Sequence, residues 1–447
     1  MKKLFIYIAF LGAALSLQSC LFEEKDIFDK SASERMTEAV NQASEVLKSA
    51  PNGWHLEYCP GENYSMGGIN MFLKFGKEKV EVTSEMGGTL TPAGSGKSSY
   101  YRIIPEQSVM LTFDTYNDVI HYFGEPQGSN ANLQGDYEFI IMKATEEEVI
   151  LQGKRYKNKM RMVPVESGKT YSSIVNNLQK IPANAFLNSY EVYIGGSKFC
   201  VAQRSRNTNT FVFSDGSAET EIPFIYTVDG FKFIKPFKVK GVELTHFAWK
   251  ATENEAGKFV SVAEGPSVEL VAYYPDNYKY YSDYVGKYEM TYDELIIEDN
   301  DKMYFETKSA EVTLTRKTNN SSYTIKGVPN AMVDMVVSYE RASGEVAMNS
   351  GEYLGTFNGG YLYQNMGLDL GFYPLYYGIS LSLDGNIVKT NNGTERIEFL
   401  DNGYGEYYFG EKMNSILFEV YVSQTITSST FYSAWACYRN IVLTKKD

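Results

Sequence analysis

From Trp54 onward, apolar and polar residues alternate in pieces of strand length, and Gly, Asn or Asp separates one piece from the next. Alternation with a period of two predicts half-buried β-strands. The pair Asp229-Gly230, between two such pieces, is a strong hairpin signal. Because the strands follow one another through short turns, the sequence predicts a mainly β protein with antiparallel barrel-like or sandwich domains.

Two segments have the periodicity of a helix instead. Apolar residues share one face of residues 31–50, where Ser31 and Glu34 have the spacing of a capping box. This pattern predicts a short N-terminal amphipathic helix that plugs or flanks the first β domain. One further short helix is predicted over Tyr171–Lys180, with Pro182 beyond its end.

The first residues predict export and a lipid anchor. Lys2 and Lys3 precede an apolar run that is too short to span a membrane, which is the arrangement of a secretory signal peptide. Leu17-Gln18-Ser19-Cys20 resembles the bacterial lipobox, although Gln18 replaces the usual small residue. We therefore predict a lipoprotein signal peptide in residues 1–19 and acylation of Cys20 by chains such as palmitate. A plain secreted protein is the alternative.

Residues 20–30 are predicted to form an acidic tether behind the lipidated Cys20. They contain Glu23, Glu24, Asp26 and Asp29, and they resemble the acidic export signal of Bacteroidetes-type lipoproteins that reach the cell exterior. This resemblance implies a protein of the outer membrane, lipid-anchored and facing outward. A solvated tether on a periplasmic protein is the alternative interpretation of the same charges.

The length of the chain and an interruption of its strand pattern predict two β-rich domains after the tether. A chain of 447 residues is long enough for two or three domains. The segment Tyr274-Pro275-Asp276-Asn277 interrupts the strand pattern. We therefore predict an N-terminal β-rich domain with its leading helix over residues 31–275, and a C-terminal β-rich domain over residues 282–447.

The net charge limits the classes of partner, and the cysteine spacing limits disulfide bonding. The formal net charge is −13, which argues against nucleic acid because phosphate binding requires clustered Lys and Arg. Cys59, Cys200 and Cys437 are too widely spaced for a disulfide framework. We predict three buried small apolar side chains, and one disulfide between two of them is the alternative.

The sequence contains no catalytic motif that withstands inspection. His55, His121 and His246 are isolated from one another, and a G-x-S-x-G elbow is absent. The stretch Gly94-Ser95-Gly96-Lys97-Ser98 resembles the end of a P-loop, but Thr91 occupies the position of the leading glycine. We predict a non-enzymatic protein without metal or cofactor. A hydrolase that uses Asp and Glu carboxylates is the alternative.

Tyrosine supplies the one candidate for ligand binding. The chain has 36 tyrosines, and a tyrosine ring offers an apolar face for stacking and a polar tip. A dense group between residues 361 and 377 could form a platform for sugars or peptides, or it could simply fill a β core and its rim. The candidate ligand-binding residues are Tyr361, Tyr363, Tyr373, Tyr376 and Tyr377.

Four segments carry a resemblance to a known family. They run from Phe28 to Met36, from Ala50 to Trp54, from Leu111 to Asn117 followed by His121, and from Gly135 to Phe139. Together they resemble an uncharacterised family of Bacteroidetes surface lipoproteins, a domain of unknown function. Its members commonly accompany SusC/SusD-like nutrient-uptake pairs. The resemblance implies an accessory role in nutrient capture and supplies no catalytic residue.

These observations predict a cell-surface lipoprotein that is the accessory, non-catalytic binding component of a nutrient uptake system. Its predicted partners are outer-membrane lipid through acylated Cys20, a SusC/SusD-like complex, and a glycan or peptide ligand. Two alternatives remain open at this point. One is an extracytoplasmic hydrolase, and the other is a structural or adhesive surface subunit.

Overall fold

The protein is described by a computed structural model. It covers residues 30–125, 133–239, 241–253, 256–262, 265–299, 302–329, 333–368, 381–390, 392–403, 405–406, 410 and 412–446. These residues form 27 β-strands, which are organised in two closed barrels and one larger sheet, and three α-helices. The predicted mainly β, antiparallel, barrel-like fold is confirmed.

Helix α1 (Ala32–Ser49) begins with the predicted capping box. The backbone N–H of Glu34 donates to Ser31 Oγ at 3.2 Å, and the N–H of Ser31 donates to Glu34 Oε2 at 2.9 Å. The apolar face of the helix packs against strands of the first barrel. The indole Nε1 of Trp54 donates to the carbonyl of Leu47 at 2.8 Å. This bond fixes the end of the helix to the first strand.

The first barrel contains eight consecutive strands, and its last strand pairs with its first. Its core is made of apolar side chains from alternate strand positions and from α1. A short helix, α2 (Asp118–His121), follows the fifth strand, and Asn117 caps it. The strands are β1 (Trp54–Tyr58), β2 (Ile69–Phe75), β3 (Lys79–Ser84), β4 (Gly96–Pro105), β5 (Val109–Phe113), β6 (Glu138–Ala144), β7 (Val149–Gly153) and β8 (Lys159–Pro164).

Helix α3 (Tyr171–Asn184) joins the first barrel to the second. It continues through Pro182, so the prediction that the helix ends before this proline is wrong. A proline in a helix removes one N–H donor, but Ile181 and Ala185 are buried in the core of the second barrel, and this packing outweighs the lost bond. The N-terminal half of α3 packs on Phe72 of the first barrel.

The second barrel also consists of eight consecutive strands, with the last paired to the first. The predicted hairpin at Asp229-Gly230 is confirmed, because Thr227 pairs with Gly230. Residues 31–275, predicted as one β-rich domain, thus hold two closed barrels. The strands are β9 (Ser189–Ile194), β10 (Ser197–Arg204), β11 (Thr210–Ser214), β12 (Glu219–Thr227), β13 (Gly230–Val239), β14 (Val242–Lys250), β15 (Lys258–Ser261) and β16 (Val268–Ala272).

The third unit is a sheet of eleven strands. Its last strand, β27, pairs with both β17 and β25, which closes a ring of eight strands, and β26, β23 and β22 extend the sheet from the other half of β27. The strands are β17 (Gly286–Ile297), β18 (Met303–Thr318), β19 (Ser322–Lys326), β20 (Met335–Glu340), β21 (Glu345–Asn349), β22 (Glu352–Phe357), β23 (Gly360–Leu368), β24 (Ser382–Lys389), β25 (Glu395–Asp401), β26 (Met413–Tyr421) and β27 (Phe431–Lys445).

Buried tyrosines fill one end of the third unit. The hydroxyl of Tyr323 donates to the carbonyl of Tyr281, and the hydroxyl of Tyr284 donates to the carbonyl of Gly344, at 2.8 and 2.7 Å. The rings of Tyr281 and Tyr323 stack with centroids 4.5 Å apart. Each hydroxyl thus satisfies a backbone carbonyl while its ring packs in the core, so a share of the tyrosine content is structural.

The three described cysteines are buried and unpaired, as predicted. Cys59 lies in the core of the first barrel, Cys200 lies in that of the second, and Cys437 lies on β27. Burial raises the pKa of the Cys59 thiol to about 12 and the pKa values of the other two thiols to about 11.

We expect these thiols to be nearly inert in the folded protein, because the thiolate is the reactive form and is scarce at neutral pH. Labelling with a thiol reagent at pH 8 should modify all three in guanidinium chloride and very little of any of them in buffer. Rapid modification of one thiol in the native protein would contradict its burial.

No helix among the described residues is long and apolar enough to cross a membrane.

Candidate functional site

A cavity of about 610 Å³ lies where the two barrels, α3 and the third unit meet. Its volume is within the range that is typical of small-ligand sites. Residues from all four elements line it, so no single unit forms the site alone. The main apolar lining residues are Met66, Met86, Tyr122, Phe123 and Phe186.

One wall of the cavity is the loop Ser205–Asn209, which connects β10 to β11. The N–H of Asn209 donates to the carbonyl of Met66 at 3.0 Å, and its side-chain Nδ2 donates to the carbonyl of Gly68 at 2.8 Å. The N–H of Gly68 donates to the carbonyl of Phe224 at 2.9 Å. These bonds connect the two barrels directly, so the loop is held in place on the cavity wall.

Arg204 is the buried charge of this wall. Strand β10 directs Cys200, Ala202 and Arg204 inward by its alternation, and Arg204 is only 8% exposed. Its Nε and Nη2 donate to Asn188 Oδ1 at 3.1 and 2.9 Å, and its Nη1 donates to the hydroxyl of Tyr226 at 3.0 Å. Both acceptors are neutral. Within the part of the chain that the structure describes, Arg204 forms no ion pair.

Two further charged side chains line the cavity. Arg206 is exposed and has neither an ion pair nor a side-chain hydrogen bond among the described residues. Glu340 comes from the third unit, and its Oε1 accepts a hydrogen bond from the N–H of Ala342 at 2.9 Å. The described lining therefore carries two guanidinium groups against one carboxylate.

A polar network next to the cavity connects the barrels through Asn70, which is 1% exposed. Its backbone N–H donates to the carboxylate of Glu85 at 2.7 Å, and its Nδ2 donates both to this carboxylate and to the carbonyl of Tyr226, at 3.1 and 3.0 Å. Burial raises the pKa of Glu85 to about 7, although the bonds from Asn70 oppose the shift.

The raised pKa of Glu85 predicts that the contribution of this residue to stability falls as the pH rises from about 4.5 to about 7. Over this interval the folded chain retains a proton that the unfolded chain has lost, so the contribution of Glu85 is greatest below the interval and is lost above it. Replacement Glu85→Gln should flatten this slope, as measured by denaturant unfolding at a series of pH values. Glu147→Gln, at an exposed carboxylate, is the control, and equal slopes in both variants would contradict the prediction.

Two models of known protein families match parts of the chain. Residues 24–251, which include the first barrel and most of the second, match the model of the family described as Domain of unknown function (DUF4302). The chain belongs to this family. Residues 262–411 match a second model, DUF4987, also described as a domain of unknown function. The predicted membership of an uncharacterised family is confirmed, and association with SusC/SusD-like pairs remains a prediction.

Two solved structures show a distant similarity to the chain. A candidate outer membrane protein from Bacteroides fragilis is 12% identical, with 60% of this chain and 99% of that chain covered, at a TM-score of 0.14. The isotype 1 transferrin binding protein B from serogroup B Neisseria meningitidis is 10% identical, with 88% of this chain and 76% of that chain covered, also at 0.14. Neither similarity bears on the function of this chain. No curated protein matches it.

Two of the tyrosines predicted to bind ligand, Tyr361 and Tyr363, are not among the described residues that line this cavity. Tyr361 is half-buried on β23, and Tyr363 is buried, with its hydroxyl donating to the carbonyl of Gln424 at 3.0 Å. The other three candidates, Tyr373, Tyr376 and Tyr377, lie outside the described residues, as does Cys20. Ligand binding at these tyrosines and acylation of Cys20 remain predictions.

Arg204 and Asn188 were not predicted from the sequence, although one signal was present. In Cys200-Val201-Ala202-Gln203-Arg204 the arginine occupies a position that the alternation assigns to the core. A charge at a core position of a strand indicates a special environment, because an unpaired buried charge is costly.

The described residues contain no group of three or more His, Cys, Asp or Glu side chains that could hold a metal ion.

Proposed function

We propose that this protein is a lipid-anchored protein of the outer cell surface that binds a nutrient, a glycan or a peptide, as the accessory component of an uptake system. The observation that carries the proposal is the cavity at the junction of the two barrels and the third unit. Ligand sites are commonly found between domains, with largely apolar walls and a few polar groups that orient the ligand.

The preformed geometry of the cavity supports a binding role. The wall formed by Ser205–Asn209 is held by hydrogen bonds to the first barrel, and Arg204 is held by Asn188 and Tyr226. Groups that are already oriented lose little conformational freedom when a ligand arrives, and this favours affinity.

The proposed location rests on the sequence before the first helix. Cys20 would carry the acyl chains, and the acidic residues 20–30 would connect it to α1, which begins at Ala32. Mass spectrometry of the processed protein should find Cys20 as the acylated N-terminus. An unacylated mature chain would refute the anchor, and cell-surface proteolysis would separate an outward from a periplasmic orientation.

Thermal unfolding of the full chain against a panel of glycans and peptides tests the binding role. A ligand at 100 times its Kd adds about 2.7 kcal/mol to the stability of the unit that binds it. For a unit of roughly 200 residues this corresponds to a shift of roughly 5–10 °C. Ala342→Trp, which fills the cavity from the third unit, should abolish the shift, whereas Ala32→Trp on exposed α1 should retain it.

The two alternatives predict different results. A hydrolase that uses scattered carboxylates would turn over a polysaccharide or peptide pool, and one Asp or Glu substitution would abolish this turnover. A structural or adhesive subunit would copurify with a membrane complex and would respond to no small ligand. Absence of any thermal shift across the panel would favour this last role over nutrient binding.

A further inference from the structure

We infer that the cavity between the barrels and the third unit takes a small amphiphilic anion, which has an apolar body and one carboxylate or similar acidic group bound by Arg204 and Arg206. The inference rests on the proposed function, because it names the ligand class of the same cavity. It concerns the charge of the ligand, which neither the family membership nor the binding role specifies.

The donors of Arg204 are only partly used. A guanidinium group has five N–H donors, and the bonds to Asn188 and Tyr226 account for three of them. The remaining N–H groups, one each on Nη1 and Nη2, have no acceptor among the described residues. Nη1 and Nη2 are the two terminal nitrogens of the guanidinium, and a carboxylate that reaches both can accept two hydrogen bonds from them.

The charge of Arg204 also has no counter-ion among the residues that the structure describes. A buried charge is strongly unfavourable unless an opposite charge or several hydrogen bonds compensate for it. The acceptors around this guanidinium are an amide oxygen and a phenol oxygen, neither of which carries a charge. An anionic ligand would supply an opposite charge at the place where the described residues supply only neutral acceptors.

The two arginines of the cavity contrast with the acidic character of the whole chain. The chain as a whole has a net charge of −13, yet the described lining carries Arg204 and Arg206 against Glu340 alone. The carboxylate of Glu340 already accepts the N–H of Ala342. An acidic protein that presents a basic cavity attracts small anions there and repels them over most of its surface.

The apolar lining defines the rest of the ligand. Met66 and Met86 come from the first barrel, as do Tyr122 and Phe123, and Phe186 comes from the segment after α3. Thioether and aromatic side chains adapt to apolar groups of varied shape. A bare inorganic anion would leave this surface unused, so the geometry favours an acid with a hydrocarbon or aromatic body.

Equilibrium dialysis of the full chain in nonionic detergent micelles, with protein-free micelles subtracted, tests the inference. Each probe is an acid paired with its neutral amide. N-acetyl-phenylalanine and its amide represent peptide-like ligands, and hexanoate and hexanamide represent lipid-like ligands. We expect at least one acid to bind roughly 10–100 times more tightly than its amide, because hydrogen bonds to charged groups are strong. The acid–amide pair with the larger ratio of affinities shows whether the anion is peptide-like or lipid-like.

Variants connect the preference to the two arginines. Arg206→Gln alters an exposed side chain and should weaken binding of the acid severalfold while leaving the amide unchanged. Arg204→Lys keeps the charge but removes the two terminal nitrogens, and it should remove most of the preference. Arg161→Gln, on β8 and paired with Glu148, is the control and should bind both probes normally. Circular dichroism of each variant confirms that it is folded.

Equal binding of an acid and its amide, unchanged in the Arg206→Gln variant, would overturn the inference and leave the proposed binding role intact. Failure of all four probes to bind would also overturn it, and the glycan and peptide panel would then decide the binding role separately. Acid preference that persists in both arginine variants would place the anion site elsewhere and refute the assignment.

Discussion

Replacement of Trp54 by alanine is expected to lower the free energy of unfolding of the first barrel by about 3–5 kcal/mol, the usual cost of truncating a buried Trp. The indole is fully buried at the start of β1, in the core shared by the barrel and α1. Truncation would leave a large void and would leave the carbonyl of Leu47 without its donor. Both effects act at the joint between helix and barrel.

Hydrogen exchange followed by mass spectrometry is the appropriate measurement, because three units need not unfold in one transition. Peptides from α1 and residues 54–164 should lose protection together, while peptides from the second barrel should not. Tyr100→Ala, at a 45% exposed position of β4, is the control and should cost less than about 1 kcal/mol. Equal losses in the two variants would contradict the role of Trp54. The Trp54→Phe variant separates ring volume from the hydrogen bond.

Replacement of Gly67 by alanine is expected to separate the two barrels at their junction. Gly67 has φ of +73°, and an added Cβ would lie 2.2 Å from the backbone oxygen of Asn209. Relief of this clash would require displacing the backbone of Asn209, whose N–H and side chain bond to Met66 and Gly68. The left-handed conformation costs roughly 1–2 kcal/mol for a residue with a Cβ, and each lost hydrogen bond costs about 1 kcal/mol more.

Gly216→Ala is the matched control for this variant. Gly216 also has a left-handed φ, +89°, but a Cβ there would meet nothing within 4 Å. The control therefore carries the conformational cost without the clash. Amide exchange at Gly68 and Asn209, which donate across the junction, should accelerate in Gly67→Ala alone, and ligand binding should weaken with it. Unchanged exchange in Gly67→Ala would mean that these bonds do not hold the barrels together.

Local signals were sufficient to predict much of the secondary structure. The capping box at Ser31 and Glu34 and the hairpin at Asp229-Gly230 depend only on neighbouring residues, and both are confirmed. Ring closure depends on the pairing of β1 with β8 and of β9 with β16. These pairings join residues far apart in the chain, so alternation predicted β domains without distinguishing barrels from sandwiches.

The hairpin of β22 and β23 shows how a local signal can be obscured. Asn358-Gly359 is a typical two-residue turn, and both residues have positive φ, 47° and 83°. However, the register shifts between Tyr353 and Gly355, which interrupts the alternation that predicts a strand. The dense tyrosines there suggested either a binding platform or a filled β core, and Tyr363 is buried in the sheet.

The cavity could not have been predicted in the same way. Its lining comes from segments as distant as Met66, Arg204 and Glu340, and each segment is unremarkable by itself. Only the charged residue at a core position of β10 pointed to a special environment. Asn188 and Tyr226 can be identified as the acceptors of Arg204 only in the folded barrel, which brings them next to its guanidinium group.

The pairing of β27 has a consequence for the order in which the molecule is made. Each barrel closes from eight consecutive strands, so each can close during synthesis as soon as its own strands have emerged. In the third unit β27 pairs with three earlier strands, β17, β25 and β26, so none of these three pairings can form before β27 has been made. A chain interrupted before Phe431 would carry two finished barrels and a sheet with bare edges, which promotes aggregation. We expect proteases and chaperones to recognise such interrupted chains by these unpaired edges.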